Sequence, residues 1–159
     1  MGMLDKLSRL VVGGTAADSQ DATAALNDCY IGCVQRARQL HRHAEMAPQE
    51  YSIVGLKQLA TAEDAQADRL RAALLAAGKA VPTVPPEPLA ADARSHWGRL
   101  VQDLEPHRAS ARRLRELAMH FAETLPATAA LFDELCRQEI VHCQQLRTLI
   151  ARADPQAID

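Results

Sequence analysis

Aromatic residues are nearly missing from this sequence: two Phe, two Tyr and one Trp make up 3% of its 159 residues. Runs of β-branched residues are scarce as well, and these two classes supply the side chains that fit a pleated, half-buried sheet surface. Strands are therefore not expected. No apolar run approaches the roughly 20 residues a helix needs to span a bilayer, so no membrane partner is expected. Nor is there a block of one charge: 18 Lys and Arg and 20 Asp and Glu are mixed along the chain, for a formal net charge of −2. Such a chain offers no basic stripe to neutralise phosphates, and no nucleic-acid partner is expected. The four cysteines, Cys29, Cys33, Cys136 and Cys143, lack zinc-ribbon spacing, and no secretory leader pattern is seen. They read as reduced thiols of a soluble, cytoplasmic protein.

What the chain does have is Ala and Leu at helical spacing, within an apolar share of 48%. Its length suits one domain with a full core. Residues 3 to 11, MLDKLSRLV, place Leu4, Leu7, Leu10 and Val11 on one helical face, too short to stand alone. Residues 1–20 are thus expected to be an N-terminal docking segment carrying a short helix, and 21–159 a single bundle domain. A first long helix is expected over about 21–46, capped by Ser19 or Asp21. The second begins with Pro48 in its first turn and ends at Gly78. KAVPTVPPEPLA, with four prolines, can be neither helix nor central strand and must be a long link. The third helix is expected from about Ala91 to Thr124, kinked or split at Pro106, and the fourth from Pro126 to about Ala153. The fold class is all-α: a four-helix bundle with one long crossover between its second and third helices.

Residues spaced alternately by three and four share one face of a helix. On the fourth helix that buried stripe reads Leu131, Leu135, Glu139, His142, Leu146 and Leu149. On the second it reads Leu56, Leu59, Glu63, Gln66, Leu70 and Leu74. Both run apolar, polar, apolar, offset by 76 residues. Burying an uncompensated carboxylate costs several kcal/mol, so acids on this stripe need a reason to be there. EIVH, residues 139–142, puts a carboxylate and an imidazole on adjacent turns facing one way, which suits a divalent first-row metal between helices. EDAQ, residues 63–66, is the same pattern with Gln for His. The alternative is a metal-free hydrogen-bond network that holds the helices in register.

The stretches LNDCYIGCVQRARQLHRHAEMAP, LKQLATAEDAQADRLRAALLAAG, RLVQDLEPHRASARRLREL and LFDELCRQEIVHCQQLRTLIARADPQA carry a further likeness. Over about residues 25–153 the chain resembles the ferritin-like superfamily, most closely its small rubrerythrin-like and bacterioferritin-like bacterial members. The resemblance implies two irons, held by a glutamate from each of the first and third helices and by Glu-x-x-His from each of the second and fourth. It implies reaction with oxygen or peroxide, or ferrous-iron oxidation. Glu139, His142 and Glu63 match that pattern. Gln66 stands where a histidine belongs and weakens its half-site, Glu105 is the natural third-helix acid, and His107 could take its place. On the first helix the stripe Leu26, Tyr30, Cys33, Ala37, Leu40 and Ala44 has no acid. Asp28 points to the far side, and Cys33 occupies about the missing position. The site is therefore expected to be a degenerate diiron centre, holding iron or another divalent metal at one position rather than two. Pairing into a homodimer is expected by the same analogy.

Rival readings stay open: a metal-free scaffold that docks a partner, and a working diiron ferroxidase or peroxidase. The cysteines could form a thiolate and imidazole zinc site or an interhelical disulfide, or simply fill the core as small apolar residues. His41 and His43 read as surface or boundary residues. Arg108, Arg112, Arg113 and Arg115, interleaved with Asp103, Glu105 and Glu116, read as a solvated face. Trp97 and Phe121 read as core anchors.

Overall fold

The computed structural model describes residues 14–86 and 91–153, which form four α-helices and no strand. The expected docking helix at 3–11 lies outside the described residues. Helix α1 spans Ala16–Glu45, α2 Glu50–Ala76, α3 His96–His120 and α4 Pro126–Ala153. No helix among the described residues is long and apolar enough to cross a membrane.

Local chemistry sets the helix ends. Thr15, not Ser19 or Asp21, caps α1: its hydroxyl accepts from Asp18 N–H while the Asp18 carboxylate accepts from Thr15 N–H. This reciprocal pair satisfies two otherwise orphaned donors and starts the helix several residues earlier than the apolar pattern alone indicates. Pro48 lies just before α2 rather than in its first turn, and Gln49 is the N-cap. At the far end Gly78 adopts φ +70°, and Lys79 N–H donates to Leu74 C=O while Gly78 N–H donates to Leu75 C=O, a Schellman closure. Ser95 caps α3, so that helix begins later than expected. Pro106 lies inside it without splitting it.

Antiparallel α1 and α2 form one hairpin and α3 and α4 the other. Across the hairpins α1 faces α3 and α2 faces α4. The described parts of the link after α2, residues 77–86 and 91–95, touch α1 at Pro85 and Asp92. Arg38 donates to Pro85 C=O, Arg42 pairs with Asp92, and His96 at the head of α3 lies 3.1 Å from Ser52 near the head of α2.

The core comes in two halves. One holds Leu26, Leu70, Leu74, Phe121, Phe132 and Leu135, and the other holds Leu40, Leu56, Leu59, Leu100 and Leu146. Each of these leucines, fully buried, contributes about 1.5–3 kcal/mol. Between the halves lies a belt of buried polar side chains. Phe121 anchors the core as expected, whereas Trp97, in the first turn of α3, is 43% exposed.

Candidate metal centre

All four helices contribute to the belt. Helix α2 brings in Glu63, α4 brings Glu139 and His142, α3 brings His107 and α1 brings Arg36. Both glutamates are completely buried, and Arg36 retains only 8% of its exposure. Arg36 Nε donates to Glu63 Oε2 at 2.9 Å, and Nη2 donates to Glu139 Oε1 at 3.2 Å. The other oxygen of each carboxylate faces an imidazole. His142 Nδ1 is 2.9 Å from Glu63 Oε1, and His107 Nδ1 is 3.2 Å from Glu139 Oε2. Each glutamate thus divides its two oxygens between the guanidinium and a histidine.

One guanidinium faces two acids, so charge balance allows only one of them to ionise. Burial would push both carboxyls up. For Glu63 the Arg36 charge and the hydrogen bond from His142 outweigh it, and Glu63 is held below the usual range. For Glu139 burial prevails over the pull of Arg36, aided by repulsion from Glu63, and its carboxyl is pushed well above the usual range. Burial opposes charge on Arg36 too, but Glu63 and Glu139 more than compensate. Burial also lowers His107 to about 3, so its ring is neutral and keeps a lone pair for a ligand bond. Without an ion the resting state is Arg36 positive, Glu63 negative, Glu139 protonated and His107 neutral.

Glu63, His107, Glu139 and His142 each offer one ligand atom, and these lie within 4.8 Å of one another. A tetrahedral ion with bonds of about 2.1 Å spaces its ligands about 3.4 Å apart. The distances from His142 Nδ1 to Glu63 Oε1, 2.9 Å, and from His107 Nδ1 to Glu139 Oε2 and Glu63 Oε1, 3.2 and 3.8 Å, bracket that spacing. Two imidazoles and two carboxylates suit a first-row divalent ion. Binding one would displace the Glu139 proton and leave Arg36 on the outer oxygens.

Of the residues singled out by sequence, Glu63, Glu139 and His142 meet here, joined by His107. Glu105 does not: it is exposed and pairs with Arg108 at 3.0 Å. The inner face of α3 carries Asp103 and His107, four apart, and Glu105 is two residues from each, about 200° around the helix. Gln66 is buried one turn from Glu63, with Oε1 3.9 Å from the Cys33 thiol and Nε2 without a hydrogen-bond partner among the described residues. Cys33 sits 3.3 Å from Arg36 Nη2, and burial pushes its thiol well above the ordinary value, so it stays protonated. None of the cysteines joins the four-ligand group, and all four are free thiols.

Arg36 is the residue that sequence reasoning missed. It lies three residues after Cys33, beside the apolar stripe of α1, but arginine is almost never buried unless paired. His43 and Asp103 were also misplaced: both are buried, not at the surface. His43 Nδ1 is 2.8 Å from Asp103 Oδ2 and its Nε2 is 3.0 Å from Asp92 Oδ1. Gln39 donates to Asp103 Oδ1 at 2.7 Å. This second network ties the incoming link to α1 and α3. His41 is exposed, as expected, beside Asp64.

No protein-family model matches the chain, and no curated protein matches it.

Proposed function

We propose that this chain is a ferritin-like metal-binding bundle that holds one divalent first-row ion, ferrous iron foremost, on Glu63, His107, Glu139 and His142. The observation carrying this reading is the division of each carboxylate: one oxygen on Arg36, the other 2.9 or 3.2 Å from an imidazole nitrogen, close to the spacing of ligands on one tetrahedral ion. Arg36 stands in for a second cation. One divalent ion, the guanidinium and two carboxylates leave one uncompensated positive charge, whereas two ions would leave three, which a buried site does not tolerate. A paired-iron reaction with oxygen or peroxide is disfavoured on that count, and any iron chemistry at a single ion is weak. The long link between the hairpins, touching α1 at Pro85 and Asp92, is of the kind found in ferritin-like bundles, and the resemblance of the EIVH and EDAQ segments supports the same placement.

A second reading, a metal-free scaffold, draws on one fact: Arg36 already bridges both acids. Metal analysis of protein purified without chelator, followed by anaerobic ferrous titration, separates the two. The single-ion reading expects one ion per chain, lost in Glu139→Ala. Uptake of two ions would point to a working diiron centre, and no uptake would leave the scaffold.

A further inference from the structure

A cleft of about 320 Å³ opens between α1 and α3. Its walls are apolar, built by Ala25, Gly32, Pro106, Leu114 and Leu117, with Asp28 and Arg113 among the remaining lining residues. Arg36 reaches it from the belt. Glu63, Glu139 and Cys33 engage Nε and Nη2 of that guanidinium, and Nη1 has no hydrogen-bond partner among the described residues. Nη1 lies beside Gly32, where a Cβ would approach it to 3.1 Å. The missing side chain at Gly32 therefore leaves the Nη1 edge of an otherwise buried guanidinium open to an apolar cleft. An unmatched donor of this kind selects an acceptor, and a charged donor selects an anion. The walls select an apolar tail.

Charge links this cleft to the centre. With an ion on the four ligands, the belt carries one uncompensated positive charge, and a monoanion on Nη1 cancels it. Without the ion, three carboxyl groups would crowd one guanidinium. We propose that the cleft between α1 and α3 binds a small apolar-tailed monocarboxylate with its head on Arg36 Nη1, and that this ligand and the metal ion tighten each other's binding. The coupling half rests on the single-ion reading above. Because coupling free energies are reciprocal, either ligand reports on the other.

The test uses the full chain, with cobalt(II) as the ion and hexanoate as the probe. Cobalt is titrated first, by its visible absorption. Hexanoate is then titrated calorimetrically into cobalt-loaded and metal-free protein, with hexan-1-ol as the uncharged control. Hexanoate is expected to bind the loaded protein about ten-fold tighter or more, within the usual range of coupling, and hexan-1-ol equally in both states. Ala109→Leu, on the cleft wall and outside the four ligands, should abolish hexanoate binding and leave cobalt affinity unchanged. Cobalt binding with no change in hexanoate affinity overturns this proposal alone, as does hexanoate binding undiminished in the Ala109→Leu variant. Equal coupling with hexan-1-ol overturns its charge basis. Failure of cobalt to bind removes the single-ion reading and the coupling together.

Discussion

Replacing Arg36 by Met removes the one positive charge in the belt while keeping a flexible apolar stem of similar reach. With the guanidinium gone, Glu63 has no cation within the belt, and both carboxyls must carry protons to remain buried. A carboxyl of ordinary pKa 4.5 kept protonated at pH 7 costs about 3.4 kcal/mol, at about 1.36 kcal/mol per pH unit. That figure falls inside the range of about 3–5 kcal/mol for stripping one partner from a buried ion pair. At pH 5.5 the same cost shrinks to about 1.4 kcal/mol. Urea unfolding of wild type and Arg36→Met at the two pH values reads this directly: a large loss at pH 7, less than half of it at pH 5.5. Zinc should then restore the variant, by about 2.7 kcal/mol at a hundred-fold excess over its Kd, since the ion supplies the missing charge. A variant as stable as wild type at pH 7, or a loss that does not change with pH, would refute the view that Arg36 is the belt's counter-cation.

The two glutamates should part company when each is made neutral. Glu139→Gln mimics the protonated acid already present and should cost under about 1 kcal/mol in metal-free protein, while Glu63→Gln removes the ionised partner of Arg36 and should cost about 3–5 kcal/mol. Equal losses in urea unfolding would contradict the assignment of charge. Burial opposes charging of His43, but the hydrogen bond and charge of Asp103, and then those of Asp92, outweigh it and raise its pKa above the ordinary 6.5. Its contribution to stability is therefore full below about pH 6.5 and lost as pH rises through the folded-state value. The urea midpoint should fall between pH 6 and pH 9 in wild type and fall less in His43→Gln. An identical slope in both proteins would show that the network around Asp103 does not hold His43 in its charged form.

The fold was largely legible because it depends on repetition. The alternating three-and-four spacing of Leu56, Leu59, Leu70 and Leu74 on α2, and of Leu135, Leu146 and Leu149 on α4, is a strong periodic signal, and it carried Glu63, Glu139 and His142 with it to the interior. All of these residues are buried. What was hidden were polar residues whose burial depends on a partner far away in sequence. Arg36 is inside because Glu63 and Glu139 are there, and His43 because Asp92 and Asp103 are there. No local pattern reports that a surface-loving side chain has a counter-charge waiting on another helix. The row Arg36, Gln39 and His43, spaced by three and four beside the apolar stripe of α1, was the available clue. Glu105 misled for the converse reason: its chemistry fitted the site, but its angular position on α3 did not.

A band of charge between two greasy layers also governs how the helices can slide. Leucine against leucine tolerates axial slippage, since one layer resembles the next. Moving α2 by one turn, about 5.4 Å, would strand Glu63 among hydrocarbon and leave Arg36 with Glu139 alone. The belt therefore acts as a key that admits a single alignment of the four rods, and it would do so whether or not an ion is ever bound.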